Sequence, residues 1–350
     1  MSHDEGDSGP ESRMRAAGRR LLGICLLIFV SAIVVPVAVV AGLYTVLTTP
    51  LRLRVGRYRR VLAVAVIYAA LEITGLAVAA WRWIRFHVDH DAVRDRDERR
   101  RSLTTALNGL RRAARRYGGL DVLLVAPSSD QRSAPPEMPP GPLIVCGRHG
   151  GVGGAFLLAH LLLAEYGRLP RVVLKDTLAW DPLIDALLSR IPHAFIDPQP
   201  GDHGATAARV GELAQGMAAD DALLIFPEGG NFTPRRRLRA IRRLRRRGLG
   251  AAAARAEQLH NVMPPHPDGV FAAIESSPRA AVVFVAHTGL DHLQSASDVW
   301  RALPLREPVV YTWWAVPATE IPQQPETRMG WLEDNWARID GWVARNQVAL

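Results

Sequence analysis

From residue 143 onward, short apolar runs recur with stretches of helical character between them. The runs are LIVCG (143–147), RVVLK (171–175), HAFID (193–197), ALLIFP (222–227), AVVFVAH (281–287) and VVYTWWAV (309–316). Helical patterning lies between most of them, at 153–166, 180–190, 205–219 and 236–257. Continuous apolar strands separated by helices cannot bury themselves as hairpins, because both faces of each strand need cover. The alternation therefore predicts an α/β domain around a mainly parallel sheet flanked by helices. Sites in such sheets gather at the carboxyl ends of the strands. His149, Lys175 and Glu228 each fall just past or at such an end.

The N-terminal quarter has a different character. Residues 1–20 are polar and read as a disordered basic N-terminus ending in Arg13, Arg15, Arg19 and Arg20. Leu21 to Leu47 carries no charge, with Pro36 near its middle, and exceeds the roughly 20 apolar residues needed to cross a bilayer. A second run, Val61 to Trp81, is apolar except for Glu72. Five arginines lie between the runs, in residues 52–60. Translocating that loop opposes the positive-inside tendency, so residues 21–85 read as a membrane-associated helical hairpin, spanning or dipping into one leaflet. Residues 86–350 read as the α/β domain. It opens with the mixed-charge stretch HVDHDAVRDRDERRR (87–101), read as a linker and not as a metal site. Residues 102–117 read as a helix and 126–142 as a surface loop.

The formal net charge of +9 points to an anionic partner. Among 43 basic residues Lys175 is the single lysine, a composition in which arginine abundance by itself says little. Nine arginines fall in RRRLRAIRRLRRR (235–247), with Leu238, Ile241 and Leu244 at three-residue intervals. On a helix these leucines and isoleucine make a narrow apolar stripe in a cationic cylinder. It is suited to an anionic membrane surface, to an acidic carrier protein, or to packing on the domain. No aromatic residues interleave with the arginines, so nucleic acid is not the expected partner. Cys25 and Cys146 support neither a disulfide framework nor a metal site. The tryptophans at 331, 336 and 342 suggest a C-terminal helix packed on the domain.

GRHGGVGGAF (147–156) admits three chemistries. As a dinucleotide loop, with Asp176 near the end of the next strand, it has Phe156 where the third glycine belongs. As the oxyanion loop of an α/β-hydrolase it lacks the required Gly-x-Ser-x-Gly elbow elsewhere in the chain. As a histidine base at a helix N-terminus, His149 would sit beside amides able to hold a phosphate or carbonyl oxygen.

FPEGGNFTPRRR (226–237) resembles the Phe-Pro-Glu-Gly block of the glycerolipid acyltransferases, the lysophosphatidate acyltransferase family. KDTLAWDPLID (175–185) resembles that family's second block, and GRHGGVGGAF falls where the family carries His, four residues, then Asp. The resemblance runs from about residue 140 to at least 290, and VFVAHTGLD (283–291) looks most like its actinobacterial branch.

The resemblance implies transfer of a fatty acyl group from acyl-CoA or acyl carrier protein to a lysoglycerophospholipid hydroxyl, with His149 as general base. It implies that Glu228 and Gly229 orient the acceptor, and that Lys175, Arg235 and Arg236 hold its phosphate. No cofactor or metal is implied. The partners are membrane lipid and the acyl donor, at the cytoplasmic face of the cell membrane. Two positions depart from the pattern. The motif aspartate is Gly154, leaving Asp176, Asp181 or Glu228 as candidate orienting carboxylates. Asn231 stands where an arginine is usual. Gly154 keeps open an alternative, a catalytically impaired member that binds lipid or acyl donor.

Overall fold

The computed structural model describes residues 92–127, 137–151, 153–175, 192–196 and 203–346. The expected hairpin at 21–85, the helix at 180–190, Asp176 and Asp181 lie outside the described residues. Two compact units divide the chain, one of residues 1–113 and 175–190, the other of residues 114–174 and 191–350. Helix α1 (Ala92–Gly118) makes up nearly all the described part of the first unit and buries Leu103, Leu107 and Ala113. Among the described residues no helix is long and apolar enough to cross a membrane.

The second unit is built on a seven-stranded sheet. Its strands are β1 (Val122–Leu124), β2 (Leu143–Gly147), β3 (Leu169–Lys175), β4 (His193–Ile196), β5 (Asp221–Ile225), β6 (Ala281–Thr288) and β7 (Val309–Val316). Their order is β1-β7-β6-β2-β5-β3-β4. Strand β2 runs parallel to β5 (Leu143 opposite Ala222) and to β6 (Leu143 opposite Ala281), and β3 runs parallel to β5. Only the β6–β7 pair is antiparallel among the pairings described, with His287 opposite Tyr311. All six sequence-predicted strands are present within a residue or two of the expected bounds. The three-residue β1 is too short to register as a run.

Every residue of β2, β5 and β6 is buried, as an inner parallel strand requires. One face carries Ile144, Cys146, Leu223, Ile225, Val282 and Phe284. They pack in one cluster with α3 (His203–Ala214), α6 (Pro267–Ser276) and α8 (Pro325–Asn346). Trp336 and Trp342 of α8 are buried there, in agreement with the packing expected of the C-terminal tryptophans. The other face is covered by α2 (Gly154–His160) and the π-turn that continues it to Glu165. This segment buries Leu157, Leu158 and Leu161 to Leu163, and brings the Tyr166 ring to 5.1 Å from Trp313. His160, at the end of α2, is buried with these leucines.

The arginine stretch does not form one helix from 236 to 257. It gives α4 (Pro234–Arg246) and α5 (Gly250–Gln258), separated at Gly248, whose φ of 74° ends the first helix in a left-handed turn. Thr233 starts α4 by accepting the Arg236 amide at 3.1 Å, with Pro234 in the first turn. The apolar stripe is split by burial: Ile241 is buried, Leu244 half-buried, and Leu238 48% exposed. Arg237 turns inward, and its guanidinium donates to the carbonyls of Glu257 and Leu259. Short α7 (Ala296–Ala302) leads into β7.

Candidate active site

Because β2, β5, β3 and β6 are parallel, their carboxyl ends share one edge of the sheet. Arg148 and His149 follow β2, Phe226 to Gly230 follow β5, and His287 to Asp291 close β6. Lys175 is the last residue of β3.

His149 is held by its backbone. Its N–H donates to Glu228 Oε1 at 2.9 Å, and its carbonyl accepts the Phe232 N–H at 2.8 Å. The imidazole lies 4.7 Å from the Phe226 ring, centroid to centroid and tilted by 41°, with Nδ1 buried. Two backbone bonds and one aromatic contact fix where the ring begins, which a general base requires before its pKa matters.

Glu228 is only 1% exposed, and its second oxygen accepts the Met263 N–H at 3.0 Å. Both oxygens therefore serve the scaffold. Burial pushes the carboxyl up to about 7, against the pull of Arg148 and of the two amides. Gly229 turns with a φ of 66°, and its N–H closes back on the Phe226 carbonyl at 3.0 Å. Both oxygens of Glu228 and the N–H of Gly229, the residues expected to orient an acceptor, thus have partners within the protein. The glycine also sits close to His266, whose Cδ2 would be 3.5 Å from an added Cβ.

Arg148, which no sequence motif singles out, is as deeply buried as Glu228, at 1% exposed. It donates to the carbonyl of Asn261 (2.8 Å) and to that of His287 (2.8 Å), and it pairs with Asp291. A buried guanidinium is tolerated only when such partners surround it. Asp291 lies 143 residues downstream, so no local pattern announces the pair. The glycines around His149 follow from the same crowding. A Cβ on Gly150 would fall 2.6 Å from Arg148 Nη1, and one on Gly151 1.9 Å from the Leu290 carbonyl oxygen. Gly151 also has a φ of 75°. These glycines admit the β6 loop, a packing duty that the dinucleotide and hydrolase readings of the stretch did not include.

His287 is fully buried behind the Arg148–His149 peptide. Its Nε2 donates to the Arg148 carbonyl at 3.2 Å, and its ring stacks on Tyr311 at 5.0 Å. Burial, with Arg148 adding to it, lowers its pKa to about 3, so the ring is neutral at any ordinary pH. Arg235 and Arg236 are exposed at the start of α4, and Arg236 reaches back to the Asn231 carbonyl at 3.1 Å. No cluster of metal-ligating side chains occurs among the described residues.

Residues 131–285 match the protein-family model described as Acyltransferase. The chain is also similar to the solved structure of the 1-acyl-sn-glycerophosphate (LPA) acyltransferase, PlsC, from Thermotoga maritima. The identity is 12%, with 81% of this chain and 97% of that chain covered and a TM-score of 0.47. No curated protein sequence matches. The matched region spans the strands and loops that carry His149 and Glu228, and so contains the motifs by which the sequence resembles the glycerolipid acyltransferases.

Proposed function

We propose that this chain is an O-acyltransferase of the 1-acylglycerol-3-phosphate type, working at the surface of the cell membrane with His149 as its base. The observation that carries the reading is the way His149 is held: both its backbone polar groups are fixed at the carboxyl edge of a parallel sheet. His149 takes the proton of the acceptor hydroxyl as that oxygen attacks the thioester carbonyl of acyl-CoA or an acyl carrier protein. The new C–O bond forms, the C–S bond breaks, and the departing thiolate receives the proton from the imidazole. A base of this kind contributes typically about 10²–10⁴ in rate.

Lysophospholipid phosphate meets Lys175, Arg235 and Arg236 in this reading, with Arg236 folded toward the Glu228–Asn231 turn. Glu228 acts on His149 through the backbone, and Asp176 and Asp181 remain the carboxylates proposed to act on the ring. Membrane association is supported by the exposed arginines 235, 239, 242 and 246, spaced on one face of α4, and by exposed Leu238 and Leu249 at its edges.

A second reading has its own observation. Position 154 offers no carboxylate, as in a relative that binds lipid or acyl donor without turning over. Labelled acyl transfer to lysophosphatidate in membranes separates the two. Activity in the wild type that His149→Ala removes supports catalysis, and donor binding without transfer supports the binding protein.

A further inference from the structure

Gly154, the first residue of α2, stands where the acyltransferase pattern places an acidic side chain. A Cβ built there would lie 3.2 Å from His287 Nε2 and 3.4 Å from its Cε1. That contact is tighter than ordinary van der Waals packing, and the imidazole has nowhere to retreat. It is 1% exposed, stacked on Tyr311 and bonded at Nε2 to the Arg148 carbonyl. The Tyr311 hydroxyl in turn donates to the Gly154 carbonyl at 3.3 Å, and Arg148 Nη1 donates to the His287 carbonyl at 2.8 Å.

The carbonyl that His287 grips belongs to the Arg148–His149 peptide. The N–H of the same peptide is the one that donates to Glu228 Oε1. One peptide plane is thus held at both its polar ends, by an imidazole on one side and a carboxylate on the other. A carbonyl oxygen only accepts, so His287 Nε2 carries the hydrogen.

We propose that His287 is a positioning residue that replaces the missing motif carboxylate. It fixes the Arg148–His149 peptide from behind, and a side chain at 154 and the imidazole at 287 exclude one another. His149 is then oriented through its backbone where the pattern would orient it through its ring. The inference rests on the reading of His149 as the reactive imidazole. Charged and titratable groups facing His287 are Arg148, Asp291, His149 and Tyr311.

Two measurements on the full chain test it without any acyl donor. The first is the rate at which diethyl pyrocarbonate modifies His149, followed by peptide mass spectrometry across pH, in wild type, His287→Gln and His287→Leu. Glutamine keeps a terminal N–H for the Arg148 carbonyl and leucine does not. The glutamine profile should match wild type. The leucine profile should differ by roughly threefold or more in rate, about half a pH unit in midpoint. A leucine profile superimposed on wild type overturns the proposal. The second is a thermal cycle of Gly154→Ala, His287→Ala and the double variant. Gly154→Ala should lower Tm in the wild-type background, with the drop at least halved when residue 287 is alanine; equal drops overturn the exclusion. If wild type transfers no acyl group while both measurements come out as expected, the function reading fails and the positioning inference stands.

Discussion

Glu228 and Asp340 grip the same short segment from two directions. Asp340 Oδ1, on α8, accepts the amides of His260, Asn261 and Val262 at 2.9, 2.6 and 3.2 Å. Glu228 Oε2 accepts the next amide, that of Met263, and its other oxygen holds His149. Trp336 Nε1 adds a bond to the Met263 carbonyl at 2.9 Å. A buried C-terminal helix, far from the motifs in sequence, thereby sets the height of the histidine through two carboxylates and a four-residue loop.

Asp340→Ala leaves three backbone amides without their acceptor and should cost about 3 kcal/mol or more. Asp340→Asn retains an oxygen at the same place and should cost a fraction of that. Denaturant midpoints of the two variants check the ordering, and an alanine variant as stable as wild type would contradict it.

Glu228 should make stability depend on pH in an unusual direction. Its pKa rises from 4.5 to about 7 on folding, so between those values the folded chain holds the proton and the unfolded chain releases it. The carboxyl's stabilisation is full below pH 4.5 and lost as pH rises through about 7, with a slope of up to about 1.4 kcal/mol per unit. Glu228→Gln should remove that slope. Unfolding free energies measured across pH 4.5–7.5 would show it as a widening or constant gap.

His287 acts with the opposite sign. Its pKa falls from 6.5 to about 3, so its contribution is present above pH 6.5 and lost as pH falls toward 3. Going from pH 7.5 to 5, wild type should lose about 2 kcal/mol relative to His287→Gln. The same titration series measures it, and parallel curves would refute the assignment of a buried neutral ring.

Arg148→Met removes the donor to the Asn261 and His287 carbonyls and strands Asp291. Asp291, 31% exposed, falls back on solvent, while each buried carbonyl left without a donor costs about 1–3 kcal/mol. Arg148→Lys should be nearly as damaging, because one ammonium cannot span the same acceptors. Tm of both variants, compared with an exposed control such as Arg242→Met, is the measurement.

The arginine face of α4 should report on lipid charge. Replacing Arg239, Arg242 and Arg246 by glutamate is expected to lower activity or retention on anionic vesicles at low salt. The effect should shrink as ionic strength rises and the screening length falls to about 10 Å near 0.1 M. Equal behaviour on neutral and anionic vesicles would remove the surface from consideration.

Sequence by itself determined the sheet. Runs such as LIVCG and AVVFVA carry no polar side chain along their length, which an inner strand of a covered sheet accommodates, and each appears where its residues place it. The same pattern put His149, Lys175 and Glu228 at strand ends, since the end of an apolar run is visible in one dimension. Tertiary structure alone decided what those ends do. The Arg148–Asp291 pair spans 143 residues, and the Glu228–Met263 and Asp340–His260 bonds span 35 and 80. None leaves a local period to read. The burial of Glu228 was hidden for that reason: its two oxygens meet the amides of His149 and Met263, 79 and 35 residues away. Gly154 likewise reads as a missing carboxylate in the sequence. Only the packed molecule reveals the imidazole of His287 in the space beside it, because that contact forms between the start of a helix and the end of a strand that meet on folding.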